Sequence, residues 1–148
     1  MGCLIMANDY LSTLTFDNYL VTELSYKQNR KFDFDTDELD VPFTIHAKVQ
    51  LSDDKESAVT LTVHCGDEEN SACPFLISVE VLGVFKFEEI GESMEELATT
   101  SALAILFPYV RSLVSDLSSR SNVYPQFKLP LMNVVEFVNA NNTLEVIK

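Results

Sequence analysis

The chain has 148 residues, 47% of them apolar and 22% charged, which is the composition of one folded domain rather than of a disordered chain. Its 23 acids against 10 lysines and arginines give a formal charge of −13, which excludes a nucleic-acid reader with a basic face and disfavours an anionic membrane surface. The 3 cysteines make a poor disulfide framework, and no apolar run approaches the roughly 20 residues of a membrane-spanning helix, so we expect a cytoplasmic protein without direct membrane insertion.

The chain divides into one domain and two short ends. Residues 1–12 lack the basic flank and the long apolar core of a signal peptide, and we expect a flexible N-terminus without a targeting role. A single domain is predicted over 13–140, followed by a short C-terminal tail, 141–148. Charge is uneven, because residues 1–96 carry a net charge of −14 and residues 97–148 a net charge of +1.

The first half of the domain alternates apolar and polar residues, which is typical of strands with one buried and one solvated face. The clearest run is Val41–Leu51, in which every odd position is apolar. Further strands are predicted at Phe16–Gln28, Val59–Cys65 and Phe75–Phe87, the last with a bulge or bend at Gly83. Short acidic and polar connections predict hairpins, and therefore a four-stranded antiparallel sheet that the protomer covers on one face.

The second half of the domain has helical spacing. A capping box, Ser93 followed by Glu96, precedes an amphipathic stripe that runs to Leu117 and predicts a long helix. Pro108 lies inside this helix and predicts a kink, because proline removes one backbone hydrogen bond. Asn133 begins a second, short helix by the same capping logic. Four strands followed by two helices define an α+β fold.

The sequence offers many carboxylates but no recognisable catalytic arrangement. Cys65 lies at an apolar position of its strand, and we interpret it, with Cys73, as a structural core residue. The sequence contains no nucleophile elbow, and its 4 glycines do not form a phosphate-binding loop. We therefore expect neither an enzyme nor a cofactor.

The two histidines are the remaining candidates for a metal site. If Leu51 pairs with Val59 across the hairpin, His46 and His64 lie directly opposite each other on the solvated face, without a neighbouring carboxylate. Two imidazoles alone bind a metal weakly. We interpret the pair as part of an exposed polar face and expect no metal site.

Two segments contain more aromatic residues and prolines than their local structure requires. Ile105–Arg111, ILFPYVR, places a proline and two aromatic residues in the middle of the long helix, and Tyr124–Leu129, YPQFKL, lies in the following loop. Residues that lower helix stability often mark function or a partner contact. These segments, with the Ser-Arg pair between them and the helix start at Asn133, resemble the SecB protein-export chaperone family over about residues 14–140.

The resemblance implies a SecB-like fold and a homotetramer, a dimer of dimers with its long helices sandwiched between sheets. It also implies an ATP-independent holdase that binds unfolded or precursor polypeptides in a hydrophobic groove between the helix-connecting loop and the sheet. Aromatic rings suit such a groove because they offer large contact area with few rotamers to freeze. The candidate peptide-binding residues are Phe107, Tyr109, Tyr124, Phe127, Leu129 and Phe137.

The resemblance also implies partner proteins. Glu23 matches an acidic position at which the family contacts the SecA motor, whereas Lys27 stands where another acid is usual. The partner is then either SecA or, for a toxin–antitoxin-associated member, an antitoxin. Two other classes of function stay open: an interaction module dedicated to one folded partner, and a small-molecule carrier with a pocket between helix and sheet.

Overall fold

The computed structural model describes residues 14–88, 92–122 and 124–148, and the predicted flexible N-terminus lies outside them. Within these residues the strands form one sheet in the order β1-β4-β3-β2-β5. The predicted α+β class and the four predicted strands are confirmed. The elements, in chain order, are β1 (Leu14–Gln28), β2 (Phe43–Leu51), β3 (Glu56–Cys65), β4 (Phe75–Phe87), α1 (Glu92–Thr99), α2 (Ser101–Ser119), α3 (Val134–Ala140) and β5 (Leu144–Ile147).

The sheet has a fifth strand that the sequence pattern does not predict. β5 lies within 141–148, and it pairs in parallel with β2, from Ala47 opposite Leu144 to Gln50 opposite Ile147. A four-residue strand is too short for alternation to reveal it. The prediction of a four-stranded, wholly antiparallel sheet is therefore wrong by one edge strand, which covers the outer edge of β2.

The core lies between one face of the sheet and the helices. Every second side chain of β3 and β4 is buried, and these side chains face α2. The intervening side chains form the opposite face, called the open face below, and are half-buried or exposed. This is the single covered face that the alternation predicts.

Gly83 is not a bulge. β4 is paired without interruption there, and the register shifts lie in β1 instead, at Asp17 and Thr22. A Cβ at Gly83 would lie 2.9 Å from Phe85 Cε2 and 3.0 Å from Leu106 Cδ1. Glycine therefore lets α2 and a neighbouring ring approach the sheet closely, which is the other common reason for glycine in a strand.

The long kinked helix is present as two consecutive segments, α1 and α2, which meet at Thr100. The hydroxyls of Thr99 and Thr100 donate to the carbonyls of Glu95 and Glu96, a pattern that bends helices. α2 continues as a helix through Pro108. The break therefore lies eight residues earlier than the proline suggests. The predicted capping box depends on the side chain of Ser93, which the structure does not describe.

By length and composition the helical run 94–119 could cross a membrane, contrary to the expectation from the sequence. Its buried residues include Ala102, Leu106 and Val110, and the helix packs against β3 and β4. The apolar composition is therefore that of a core helix, whose outer face carries a few charged residues such as Glu96 and Asp116.

The second predicted helix is confirmed as α3. Asn133 caps it, because its side-chain oxygen accepts hydrogen bonds from the backbone nitrogens of Val135 and Glu136 at 3.1 and 3.2 Å. The chain then turns at Asn142, whose φ is 57°, and enters β5.

Candidate peptide-binding site

Five aromatic residues, called the aromatic cluster below, lie together where β1 ends and β4 begins. Phe32 contacts Phe34 and Tyr124 with ring centroids 5.1 and 5.3 Å apart. Phe75 contacts Tyr124 and Phe127 at 6.5 and 6.3 Å. Exposure increases from the inside outward, from 1% at Phe75 to 72% at Phe34. The cluster thus combines a buried base with an exposed aromatic surface.

Two members of the aromatic cluster, Phe32 and Phe34, were not among the candidates from the sequence. They lie in the acidic connection between β1 and β2. The one signal in the sequence that could have indicated them is the alternation of the two phenylalanines with Asp33 and Asp35. Acidic composition favours a solvated loop, and the position of the two rings depends on contacts with distant residues.

Asn29 is the residue that holds this connection in place. It is 1% exposed, and its side-chain amide donates to the carbonyls of Cys73 and Asn70 at 2.8 and 3.2 Å. Its side-chain oxygen accepts from the backbone nitrogen of Lys31 at 3.1 Å. A buried amide with these partners ties the β1–β2 connection to the β3–β4 connection.

The two connections form a shared acidic surface beside the aromatic cluster. The backbone nitrogens of Asp33 and Asp40 donate to the carbonyls of Ser71 and Ala72, at 2.8 and 3.0 Å. Lys31 of the first connection forms an ion pair with Glu69 of the second, with 2.7 Å between Nζ and Oε1. We call the exposed carboxylates of both connections the acidic rim; they are Asp33, Asp35, Asp37, Glu38, Asp40, Asp67, Glu68 and Glu69.

Tyr124 is fixed from both sides. Its hydroxyl accepts a hydrogen bond from the side-chain amide of Gln28 at 2.8 Å, and its ring lies against Phe32 and Phe75. Tyr26 packs on Phe75 with centroids 5.9 Å apart, and burial raises the pKa of the Tyr26 hydroxyl. The ring of Tyr124 is therefore held in place before any partner binds.

The loop after α2 is bound to the helix rather than free. Ser118 Oγ accepts from the backbone nitrogen of Phe127 at 2.8 Å, and Arg111 Nε donates to the carbonyl of Leu129 at 2.8 Å. Leu129 is fully buried, so the structure does not present this candidate side chain to a peptide. Local patterning suggested a solvated loop here, but side chains of α2 replace the hydrogen bonds of a sheet partner and bring the loop into the core.

The remaining candidates lie at three separate places. Phe107 is 6% exposed and forms one wall of a cleft beside α2. Tyr109 faces β1, with its ring centroid 4.6 Å from that of Tyr19. Phe137 stacks on Phe43 with centroids 5.7 Å apart. Of the six candidates, the structure brings only Tyr124 and Phe127 together in the aromatic cluster.

Glu23 lies on the open face, exposed, opposite Glu80 of β4. The Glu80 carboxylate accepts hydrogen bonds from the hydroxyls of Thr22 and Thr62 at 2.7 and 3.0 Å. The acidic position that the resemblance singles out is thus part of a polar surface centred on a hydrogen-bonded carboxylate.

The histidines are diagonal neighbours on the open face, not directly opposite each other. Leu51 pairs with Ser57, so His46 lies opposite Thr62, and the two imidazole centroids are 6.4 Å apart. The hairpin is tighter than the sequence suggested, because Lys55 adopts φ 63° in the turn. Among the described residues no group of three or more His, Cys, Asp or Glu side chains could hold a metal ion.

Both cysteines of the β3–β4 region are free and buried, in agreement with a structural role. Burial raises the pKa of the Cys65 thiol to about 12. Cys73 Sγ donates to the carbonyl of Phe75 at 3.1 Å. A thiol that resists ionisation is a poor nucleophile.

Residues 8–142 match the family model described as preprotein translocase subunit SecB. An uncharacterized protein of Methanocaldococcus jannaschii is 30% identical over 139 residues, which cover 88% of this chain and 89% of that protein. The protein-export protein SecB of Alcanivorax borkumensis is 34% identical over 58% of this chain and 55% of that protein. For SecB of Orientia tsutsugamushi the identity is 26%, over 94% of this chain and 84% of that protein.

A solved structure has the same fold. It is the SecB-like chaperone of Mycobacterium tuberculosis in complex with a peptide from the HigA1 antitoxin. The TM-score is 0.65 at 16% identity, covering 80% of this chain and 90% of that chain. The fold and the matched sequence together define a SecB-family chaperone. The chain belongs to the SecB family.

Proposed function

We propose that this protein is an ATP-independent holdase, which binds unfolded or precursor polypeptides and keeps them from folding or aggregating. The observation that carries the proposal is the aromatic cluster, in which Phe34 is 72% exposed above a buried base formed by Phe75. Aromatic side chains that only stabilise the fold are rarely exposed as a cluster, so an exposed aromatic cluster indicates a binding surface. Because rings contact many sequences equally well, such a surface fits a binder of unfolded chains.

Within the proposed site, Phe34 and the half-buried rings of Tyr124 and Phe127 contact apolar side chains of the client. Phe32, which is 8% exposed, packs against Phe34 and supports it. The acidic rim lies beside these rings and attracts basic segments of the client, an attraction that salt screens. We expect client association to slow from low to high ionic strength while much of the affinity remains, since ring contacts are not screened. Complete loss of binding at moderate salt would contradict a role for the aromatic cluster.

We further propose that the protein assembles as a homotetramer. β1 is an edge strand of 15 residues, and it exposes Leu20, Val21 and Leu24 by 45–56%. A long apolar edge strand is an aggregation hazard unless another chain covers it. Val21 and Leu24 lie on the helix side of the sheet, where Tyr109 of α2 contacts Tyr19 of β1 and is itself 38% exposed.

A dedicated partner is the alternative. The Mycobacterium tuberculosis relative holds a peptide from an antitoxin, and a chaperone of one client would use the same aromatic cluster. SecA is proposed as a further partner through Glu23 on the open face, and the expected location is the cytoplasm. Suppressing the aggregation of several unrelated clients would favour the general holdase, whereas tight binding of one partner alone would favour the alternative.

The test is an aggregation assay with several chemically unfolded clients, with and without ATP. Replacing Phe34 by alanine should weaken client binding about tenfold, and the Tyr124→Ala and Phe127→Ala pair should weaken it by about 2–4 kcal/mol, if each ring is a hot spot. Leu82→Ala is the control, because Leu82 is a half-buried apolar residue on the open face of β4, seven residues along the strand from Phe75.

Circular dichroism must show that the variants stay folded, because Tyr124 and Phe127 also pack on Phe75. Phe34→Ala avoids that ambiguity, since Phe34 is mostly exposed. Normal client binding by a folded Phe34→Ala protein and by the double variant would place the client site elsewhere.

A further inference from the structure

A cleft of about 760 Å³ lies between α2 and the segment 126–134. Phe107 and Pro108 form its wall on the helix, and Leu131 and Met132 form the opposite wall. Leu131 is 85% exposed, the highest value among the large hydrophobic side chains that the structure describes. The volume is within the range of clefts that hold drug-sized ligands, and therefore a short stretch of peptide.

The charged residues that line this cleft are both cations, Arg111 and Lys128. Arg111 Nε donates to the carbonyl of Leu129 at 2.8 Å, which fixes the guanidinium and leaves its two terminal nitrogens for another acceptor. Lys128 is exposed, and within the described residues no acid lies within ion-pair distance of either side chain. A site with two unpaired cations is unusual in a chain of net charge −13.

We propose that this cleft binds a short polypeptide segment in which a carboxylate lies next to apolar side chains. The apolar side chains would contact Phe107, Leu131 and Met132, and the carboxylate would accept hydrogen bonds from Arg111 and meet the ammonium of Lys128. A guanidinium held in one orientation matches the planar geometry of a carboxylate. This gives Arg111, which the ILFPYVR segment singles out, a role that the client site does not require.

The cleft differs from the proposed client site in position and in charge. Arg111 points to the loop after α2, whereas Tyr109, two residues earlier, points to β1. The acidic rim beside the aromatic cluster repels the same carboxylates that the cleft attracts. One chain therefore has two proposed polypeptide sites, one that favours basic segments and one that favours acidic segments. The cleft can bind its peptide even if the aromatic cluster is not the client site.

The test uses fluorescence anisotropy of the full chain with three labelled peptides. One contains glutamate and leucine, the second replaces each glutamate by glutamine, and the third contains lysine and phenylalanine. The variants are Arg111→Gln and Lys128→Gln. Arg120→Gln is the matched control, since Arg120 is a cation of the same region that pairs with Asp116 at 3.3 Å, away from the cleft.

We expect the glutamate peptide to bind about tenfold more tightly than its glutamine counterpart, and each cleft variant to weaken it about tenfold, as for loss of a charge-assisted hydrogen bond. Arg120→Gln should leave this binding unchanged, and the lysine peptide should not respond to the cleft variants. Lys128→Gln keeps the test decisive if Arg111→Gln misfolds, because Lys128 is exposed.

Three results would overturn the proposal. Equal binding of the glutamate and glutamine peptides would show that the two cations do not select a carboxylate. Equal losses in Lys128→Gln and Arg120→Gln would show only the effect of net charge. A change of oligomeric mass in Lys128→Gln would show that a second copy of this chain occupies the cleft.

Discussion

β1 and β4 are antiparallel neighbours along most of their length, yet they bury their side chains differently. Val81 of β4 is fully buried, and Val21, directly opposite it on β1, is 45% exposed. Val79 and Leu24 form a second such pair, with exposures of 0% and 52%. The helices cover β4 and leave the core-facing side of β1 largely open. The same residue types thus serve as core in one strand and, we propose, as interface in the other.

The largest expected effect concerns assembly. Replacing Val21 by glutamate should dissociate the proposed tetramer, because it places a charge on an apolar surface that another chain would cover. Light scattering at micromolar concentration should report a smaller mass, with the circular dichroism spectrum of a folded protomer. Lys48→Glu is the control, since it changes charge on the solvated face of β2. An unchanged mass for the Val21 variant would mean that this part of β1 faces solvent in the assembly.

The second prediction uses the matched valines. Val81→Ala should lower the free energy of unfolding by about 2–3 kcal/mol, because it leaves a cavity in a packed core. Val21→Ala should lower it by less than about 0.5 kcal/mol in the protomer, as for an exposed site. Urea denaturation at a protein concentration low enough for the protomers to be dissociated measures both. Equal losses would show that β1 is as well covered as β4.

A smaller effect is expected at Gly83. Gly83→Ala should destabilise the protein by about 1–2 kcal/mol, because the new methyl group meets Phe85 and Leu106. Adding Leu106→Ala creates room for it, so the double variant should lose less stability than the sum of the two single variants. Thermal or urea unfolding of the four proteins gives the coupling. Simple additivity would mean that the strand shifts to accept the methyl.

The smallest effect concerns the side-chain hydrogen bond that joins β1 to β4. Thr22 lies at a register shift, and its hydroxyl donates to Glu80 at 2.7 Å. Thr22→Val should cost about 0.5 kcal/mol, since the bond is exposed and water replaces it. Thr15→Val, at an exposed position of the same strand, gives the background effect of the substitution. A loss above that of Val81→Ala would reverse the comparison of the two strands.

For the proposed client site, the sequence singled out two of the rings that form the aromatic cluster and missed the others. Tyr124 and Phe127 stood out because aromatic residues beside prolines are easy to recognise. Leu129 looked identical in pattern, and it is buried only because side chains of α2 bind the loop backbone. Phe32 and Phe34 were hidden in an acidic segment whose position depends on Asn29, a single buried amide with partners more than 40 residues away.

The sequence by itself determined strands β1 to β4, the long helix and the cap at Asn133, because periodicity and capping are local properties of the chain. Tertiary structure decided the edge of the sheet, the register of the histidines and the use of Gly83. Each of these depends on how two distant segments meet, and a one- or two-residue difference in a turn changes which side chains are neighbours. The same holds for the cleft, where Arg111 and Lys128 come together only after the loop has packed against α2.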